Sequence, residues 1–314
     1  MKKILPLLFL FCFSVIVSLM VGPVLISPFE FFKGDSFAQT ILGLRISRTV
    51  LGILSGGLLA GCGVFLQGLL NNPLVEPYTL GTASGAAFGA ALSILLFNFI
   101  NPLFAFLGCI LSVILVYLFS QVGGHLTRER LILSGVVLSF LCSSLVMMLM
   151  VLGGKELNEI IYLLMGNLGV VLTAERLLYY VVLMILVLIF YIILYLHSWE
   201  LDIISSGIDT AKSLGVNTER LMISIFILVS LIVAIVVSVI GAVGFVGLVI
   251  PHITRKIFGS AHRRVAPASF FFGASFLLLA DSVARVITPI EMPVGVVTSL
   301  VGVPFFLFLQ ARKQ

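Results

Sequence analysis

The feature that most restricts this chain is a recurrence of continuous apolar stretches, each about 20 residues long and separated by short polar breaks. A helix of that length crosses a hydrocarbon layer of ~30 Å. Only helices and closed barrels satisfy their backbone hydrogen bonds inside lipid, and barrel strands would show alternating segments of about 10 residues. The stretches here do not alternate, so the sequence predicts an all-α integral membrane protein. Composition agrees: 61% of the 314 residues are hydrophobic and 10% are charged, with a mean hydropathy of +1.26. Soluble domains carry roughly 25% charged residues. So few charges cannot coat a water-facing surface, and the outer solvent must be lipid.

Ten spans are predicted, at about 4–26, 48–70, 78–100, 102–122, 131–152, 176–197, 221–240, 243–258, 266–287 and 293–310. They form one transmembrane domain over residues 1–314, a compact bundle with both ends of the chain on the same side. Placing those ends in the cytoplasm leaves 12 of the 18 Lys and Arg residues inside and 6 outside: Lys33, Arg45, Arg48, Lys155, Arg176 and Arg285. Short cytoplasmic loops carry such an excess. Membrane orientation therefore accounts for the net charge of +5, and no nucleic acid is expected. Lys2 and Lys3 followed by an apolar run resemble a signal peptide, but the run is longer than the usual core and no A-x-A site follows. A retained first helix is expected.

Small residues recur inside the spans. Gly52 and Gly56, Gly57 and Gly61, and Gly81, Gly85 and Gly89 stand at four-residue spacing. Lipid gives helices no hydrophobic reason to associate, and close backbone approach at small residues supplies the packing instead. The four cysteines, Cys12, Cys62, Cys109 and Cys142, lie in apolar segments without CxxC spacing, so no metal site and no disulfide framework is expected. Three longer connections break the pattern. Residues 27–47 form an outer segment with Phe29, Phe31 and Phe32 beside charges, and 153–175 form another around the short apolar stretch 160–165. Residues 198–220 interleave charges with Leu201, Ile204, Ile208 and Leu214. That pattern suits short helices lying against a partner, and equally an ordinary amphipathic surface loop.

Few residues could carry chemistry. Asp281 and Arg285 are four apart, on one helical face, and can pair. An ionisable residue at membrane depth is a functional candidate, although a purely structural counter-ion role fits the same spacing. Asp281 is the single acid expected in a span core, which supplies an ion-coupled relay poorly. No nucleophile stands near a base, so no catalytic residue is assigned. The phosphate-cradling pattern G-x-x-x-x-G-K-[ST] does not occur. Any ATP that drives this protein must bind elsewhere. Proline-centred breaks occur once in each half, at Asn71-Asn72-Pro73-Leu74-Val75-Glu76-Pro77 and at Ile250-Pro251-His252, and such matched interruptions hint at an internal repeat.

At these residues the chain resembles the FecCD-type permeases, importers of iron chelates, haem and vitamin B12. The likeness runs through LRISRTVLGILSGGLLAGCGVFLQGLLNNPLVEPYTLGTASGAA (44–87), GAVGFVGLVIPHITR (241–255), and a last block from His262 to Leu309 with LLLADSVAR and EMPVGVVTSLVGVPFF. LILSGVV and SGIDTAKSLGV fit between them. Ser47 stands where the family's R-L-P-R pattern has proline, and Leu164 where many members have tryptophan. The resemblance implies ten helices in a bacterial plasma membrane. It also implies a second permease chain, identical or paralogous, around a central pathway. Two cytoplasmic subunits would bind ATP and magnesium, and an extracytoplasmic binding protein would deliver the cargo. Carried over by residue, it implies docking of that binding protein at Arg45, Arg48 and Arg285. It implies ATPase coupling through Gly207, Ala211 and Gly215, and a cytoplasmic gate near Asn72 and Leu74. Asn72 also reads as a helix C-terminal cap. An iron chelate, siderophore or haem, is the expected cargo, with cobalamin the alternative. An ion-driven secondary carrier and a non-transporting scaffold are the rivals from other classes.

Overall fold

The computed structural model describes residues 3–22, 36–97, 101–122, 125–153, 164–170, 174–288 and 291–311. Among them are twelve α-helices. In chain order they are α1 (Ile4–Met20), α2 (Ser36–Leu69), α3 (Thr82–Phe97), α4 (Pro102–Phe119), α5 (Arg128–Gly153) and α6 (Ala174–Leu196). Then come α7 (Ser198–Ser205), α8 (Ile208–Ser213), α9 (Thr218–Ile240), α10 (Val246–Phe258), α11 (His262–Ala284) and α12 (Val294–Ala311). A 3₁₀ turn, Pro77–Leu80, precedes α3, and a two-residue antiparallel ladder pairs Gln121–Val122 with His125–Leu126. Each predicted span coincides with one helix. Six described helices are long and apolar enough to cross a membrane, and α1, α3 and α12 contribute shorter apolar helices.

The spans divide into centre and periphery. The most apolar stretches of α2, α9 and α11 are 83%, 72% and 67% buried, against 28% for α4 and α5 and 17% for α6. Hydropathy does not sort them, since the buried set holds both the most apolar span, α9 at a mean hydropathy of 3.2, and the least, α11 at 1.4. Burial here is decided by packing surface rather than by aversion to the solvent. The small residues supply that surface. A side chain on Gly56 of α2 would strike the Gly273 carbonyl of α11, and Gly273 in turn faces Gly56 and Ala60. Gly85 and Gly89 of α3 meet Gly108 of α4 in the same way. Backbones in contact gain dispersion along the whole crossing, which is the available driving force in hydrocarbon.

Local chemistry sets the helix ends. Asn101 accepts from the Leu103 N–H at 3.0 Å and Pro102 follows at the first helical position, an N-cap in which the missing proline donor costs nothing. Asn217 caps α9 by accepting from the Arg220 N–H at 3.0 Å. At the far end of α2, Asn71 adopts φ 48°. Its N–H donates to the Gly68 carbonyl at 3.3 Å and that of Asn72 to the Gln67 carbonyl at 3.1 Å. This pair of reversed bonds around a left-handed residue is a Schellman motif, and Pro73 stops any continuation.

One expectation needs correcting. The outer segment 27–47 is shorter than the sequence suggests, because α2 is already helical from Ser36. Its 34 residues extend about 50 Å, well past a hydrocarbon core of ~30 Å. The sequence starts the span at Arg48 and leaves Arg45 before it, both on the outer side, but α2 carries and shelters both. Residues 198–217 hold the short helices α7 and α8, one of the two alternatives their pattern left open, and α9 begins at Thr218. Phe29, Phe31 and Phe32, and the apolar stretch 160–163 with its flanks 154–159 and 171–173, lie outside the described residues.

Candidate functional site

At the Asp281 end of the bundle, three arginines converge on one carboxylate and one helix terminus. Asp281 is fully buried on α11. Arg48, reaching across from α2, donates from Nε to Asp281 Oδ1 at 3.0 Å and from Nη2 to the same oxygen at 2.8 Å. Its Nη1 continues to Glu291 Oε2 at 2.8 Å. Arg285 lies one turn beyond Asp281, with Nε 3.1 Å from Asp281 Oδ2, and its Nη atoms donate to the carbonyls of Ser18 and Val21 at 3.1 and 2.8 Å. Arg45 donates to the carbonyls of Leu19 and Met20, both at 3.0 Å. The last turn of α1 thus receives donors for carbonyls that have no intrahelical partner, and cations favour that negative end of the helix dipole.

Arg45, Arg48 and Arg285, expected on the outer side, are largely sheltered within the bundle. Arg45 is 7% and Arg285 3% exposed, and the Arg48 side chain is 12% exposed. The physical reason is Asp281: a buried carboxylate must be paired, and it draws two of the three inward. Arg48 with the exposed Glu291 is the part of the cluster nearest solvent. The spacing of Asp281 and Arg285 was readable from sequence. The third partner, 233 positions away along the chain, was not.

The other end of α2 is organised by a neutral residue. Gln67 Nε2 donates to the carbonyls of Val75 and Gly247, both at 3.2 Å. Its Oε1 accepts from Arg255 Nη1, and Arg255 Nη2 donates to the Val64 carbonyl at 3.1 Å. The bond to Gly247 has a covalent cause. Pro251 stands four residues on and has no N–H, so the Gly247 carbonyl lacks its helical donor and Gln67 supplies one. Both proline-centred breaks meet at this amide. Glu76 and Tyr78 extend the junction. Glu76 Oε2 accepts from the Phe245 N–H at 3.0 Å and the Tyr78 hydroxyl from the Val243 N–H at 3.1 Å. Phe245 itself holds φ 68°, an uncommon conformation for an aromatic residue. Glu76 is a partly buried acid that the span boundaries concealed, and its position between Pro73 and Pro77 was the available signal.

Asn72 is not the cap of α2, since Asn71 takes that place. Its Oδ1 accepts from the Leu74 N–H at 2.9 Å, which tightens the turn and presents Leu74, 53% exposed. Helices α7 and α8 lie at this same end. Leu201, Ile204 and Ala211 are buried beneath them, whereas Trp199 and Leu214 are 63% and 65% exposed. Asp202 of α7 accepts from the His262 backbone N–H at 2.8 Å and lies 2.5 Å from His262 Nδ1, joining the short helices to the start of α11. Gly207 and Gly215 hold φ 131° and 82°. Among the described residues, no group of three or more His, Cys, Asp and Glu side chains could hold a metal ion. An apolar cleft of about 670 Å³ runs beside the junction of breaks, lined by Tyr78, Leu164, Met165, Ala242, Gly295 and Leu300 among others.

Buried helices lined with glycine, a paired intramembrane acid and two broken helices joined at their breaks define a polytopic membrane protein of the transporter kind. The chain belongs to the FecCD transport family, whose model matches residues 8–312, and is thereby a permease of the ABC-importer class. It is 38% identical over 282 residues to a probable iron chelatin transport system permease protein of Helicobacter pylori, covering 89% of this chain and 85% of that one. A cobalamin import system permease protein of Halobacterium salinarum is 36% identical over 293 residues, covering 92% and 78%. Among solved structures, the inward-facing conformation of a chain assigned to the metal-chelate type of ABC transporter superposes with a TM-score of 0.83. That match has 34% identity and covers 99% of this chain and 98% of the other.

Proposed function

We propose that this chain is the membrane-spanning half of an importer that takes up an iron chelate across a bacterial plasma membrane. It crosses the membrane ten times with both termini in the cytoplasm, as one domain. It pairs with a second permease chain and seats two cytoplasmic ATP-binding subunits, which hold the nucleotide and magnesium. A binding protein outside delivers the cargo. The observation that carries this reading is the α7–α8 pair: two short helices packed onto the bundle by their buried side, leaving Trp199 and Leu214 exposed on the side the charge count places in the cytoplasm. A large apolar pair left facing water suits a protein partner. The tie from Asp202 to His262 gives movement of that partner a route into α11.

Gly207, Ala211 and Gly215 belong to this coupling unit as its hinges and its buried contact. Replacing the two glycines would strain the backbone whatever the partner does, because both sit at positive φ. Leu214→Asp and Trp199→Asp are cleaner tests. ATP-driven uptake of a ferric chelate in reconstituted vesicles is expected to collapse in both while the permease still folds, and normal uptake would remove the coupling role. The exposed Leu74 and the turn at Asn72 form the inner mouth, and the apolar cleft beside Tyr78 faces the pathway and the second chain. At the outer face, Arg48 and Glu291 are the groups a binding protein could reach, with Arg45 and Arg285 holding the helices beneath them.

The cargo follows the relatives' breadth: names among them include iron chelatin and cobalamin. Uptake of cobalamin but not of ferric chelates by the same reconstituted system would select the alternative. An ion-coupled carrier is disfavoured because Asp281 is already held in ion pairs by Arg48 and Arg285. Uptake that survives loss of the ATPase but fails with the proton gradient would reinstate it.

A further inference from the structure

A second groove, of about 730 Å³, lies between α1 and the α10–α11 corner. Its walls include Leu8, Phe258, Pro267 and Phe271, and its mouth carries Lys3 and Arg264. Both cations are exposed. Lys3 is fixed over the groove by donating Nζ to the Ile257 carbonyl at 2.6 Å, and two of its three N–H donors meet no acceptor among the described residues. Among the described residues no carboxylate pairs with either cation, and the groove lining contains no acid. The two cations offer an anion charge and hydrogen-bond donors beside an apolar slot.

We propose that this groove is a binding site for one anionic phospholipid, its phosphate held between Lys3 and Arg264 and an acyl chain lying against Leu8, Phe258 and Phe271. Basic pockets between membrane helices recognise headgroups of this charge. The chain's own surface continues the slot outward: Leu5, Leu8 and Phe9 of α1 are 74%, 41% and 74% exposed, so a lipid tail leaving the groove stays on an apolar face. A free phosphate would gain nothing from walls made of leucine, phenylalanine and proline. Helix α1 begins at this end, and the positive end of its dipole adds to the attraction, whereas the start of α11 is already met by Asp202. The lipid belongs to the cytoplasmic leaflet, an assignment that rests on the orientation proposed above. The binding itself does not.

The test is native mass spectrometry of the full chain in neutral detergent, titrated with phosphatidylglycerol or phosphatidylcholine of identical acyl chains. One retained phosphatidylglycerol per chain is expected, with phosphatidylcholine failing to compete. The Lys3→Gln/Arg264→Gln double variant should lose affinity on the order of tenfold or more, and Arg220→Gln, an exposed cation away from the groove, should lose none. Leu8→Gln keeps both cations and should also weaken binding, which separates the site from simple charge attraction. Equal retention of the two lipids, an unchanged double variant, or an equal loss in Arg220→Gln would overturn the proposal. So would displacement of the lipid by millimolar inorganic phosphate alone, or loss of a protein subunit rather than a lipid mass from the double variant. These outcomes are read in detergent, independently of membrane orientation, cargo or ATP-driven uptake.

Discussion

The two ends of α2 are secured by opposite chemistry. At one, Arg48 and Arg285 share the buried Asp281 carboxylate and Arg45 clamps the end of α1. At the other, the neutral Gln67 amide bridges carbonyls of two broken segments. Charges in a low-dielectric interior must stay paired, so the first arrangement is all-or-none. An amide bonded to carbonyls contributes only about 1 kcal/mol net per bond, because partners can be exchanged. The Asp281 end is thereby a fixed anchor of α1, α2 and α11, and the Gln67 end is where rearrangement costs least. The inner mouth proposed at the Gln67 end would draw on that asymmetry.

The hardest blow to this comparison comes from Asp281→Ala. It strands Arg48 and Arg285 in the bundle and should cost about 3–5 kcal/mol, seen as a large fall in the thermal midpoint of the detergent-purified protein. An unchanged midpoint would mean the anchor is no anchor. Gly273→Leu pushes a side chain into the Gly56 carbonyl and should cost about 1–3 kcal/mol or more, with reduced yield of folded protein. Gln67→Leu leaves the Gly247 carbonyl without a donor, for about 1–3 kcal/mol. Its distinguishing effect should be on transport, and a variant that transports normally would take the inner end out of the mechanism. Smallest is Asn71→Gly, which relieves a left-handed asparagine and should shift the midpoint upward by no more than the equivalent of about 1 kcal/mol.

The helices were legible because hydropathy is a local property: each predicted span coincides with one helix. What escaped was non-local. The start of α2 was misplaced by 12 residues, from Ser36 to Arg48, because charges at 45 and 48 look like loop until their carboxylate is known to sit on α11. Gln67 appeared only as one letter of a motif, since its acceptors are a carbonyl eight residues on and another freed by Pro251 in the opposite half. Glu76 was hidden because the stretch between Pro73 and Pro77 reads as a connection, while its side chain turns inward to the Phe245 N–H. The resemblance placed Arg45, Arg48 and Arg285 together in space, yet their exposure could be decided only by three-dimensional packing.

The sole tryptophan among 314 residues is Trp199, 63% exposed on α7. Indole emission from the whole permease therefore comes from one address, at the surface proposed to receive the ATPase. A subunit seating there should exclude water from the ring and move its fluorescence to shorter wavelength, so engagement and release can be followed in real time without attaching a dye.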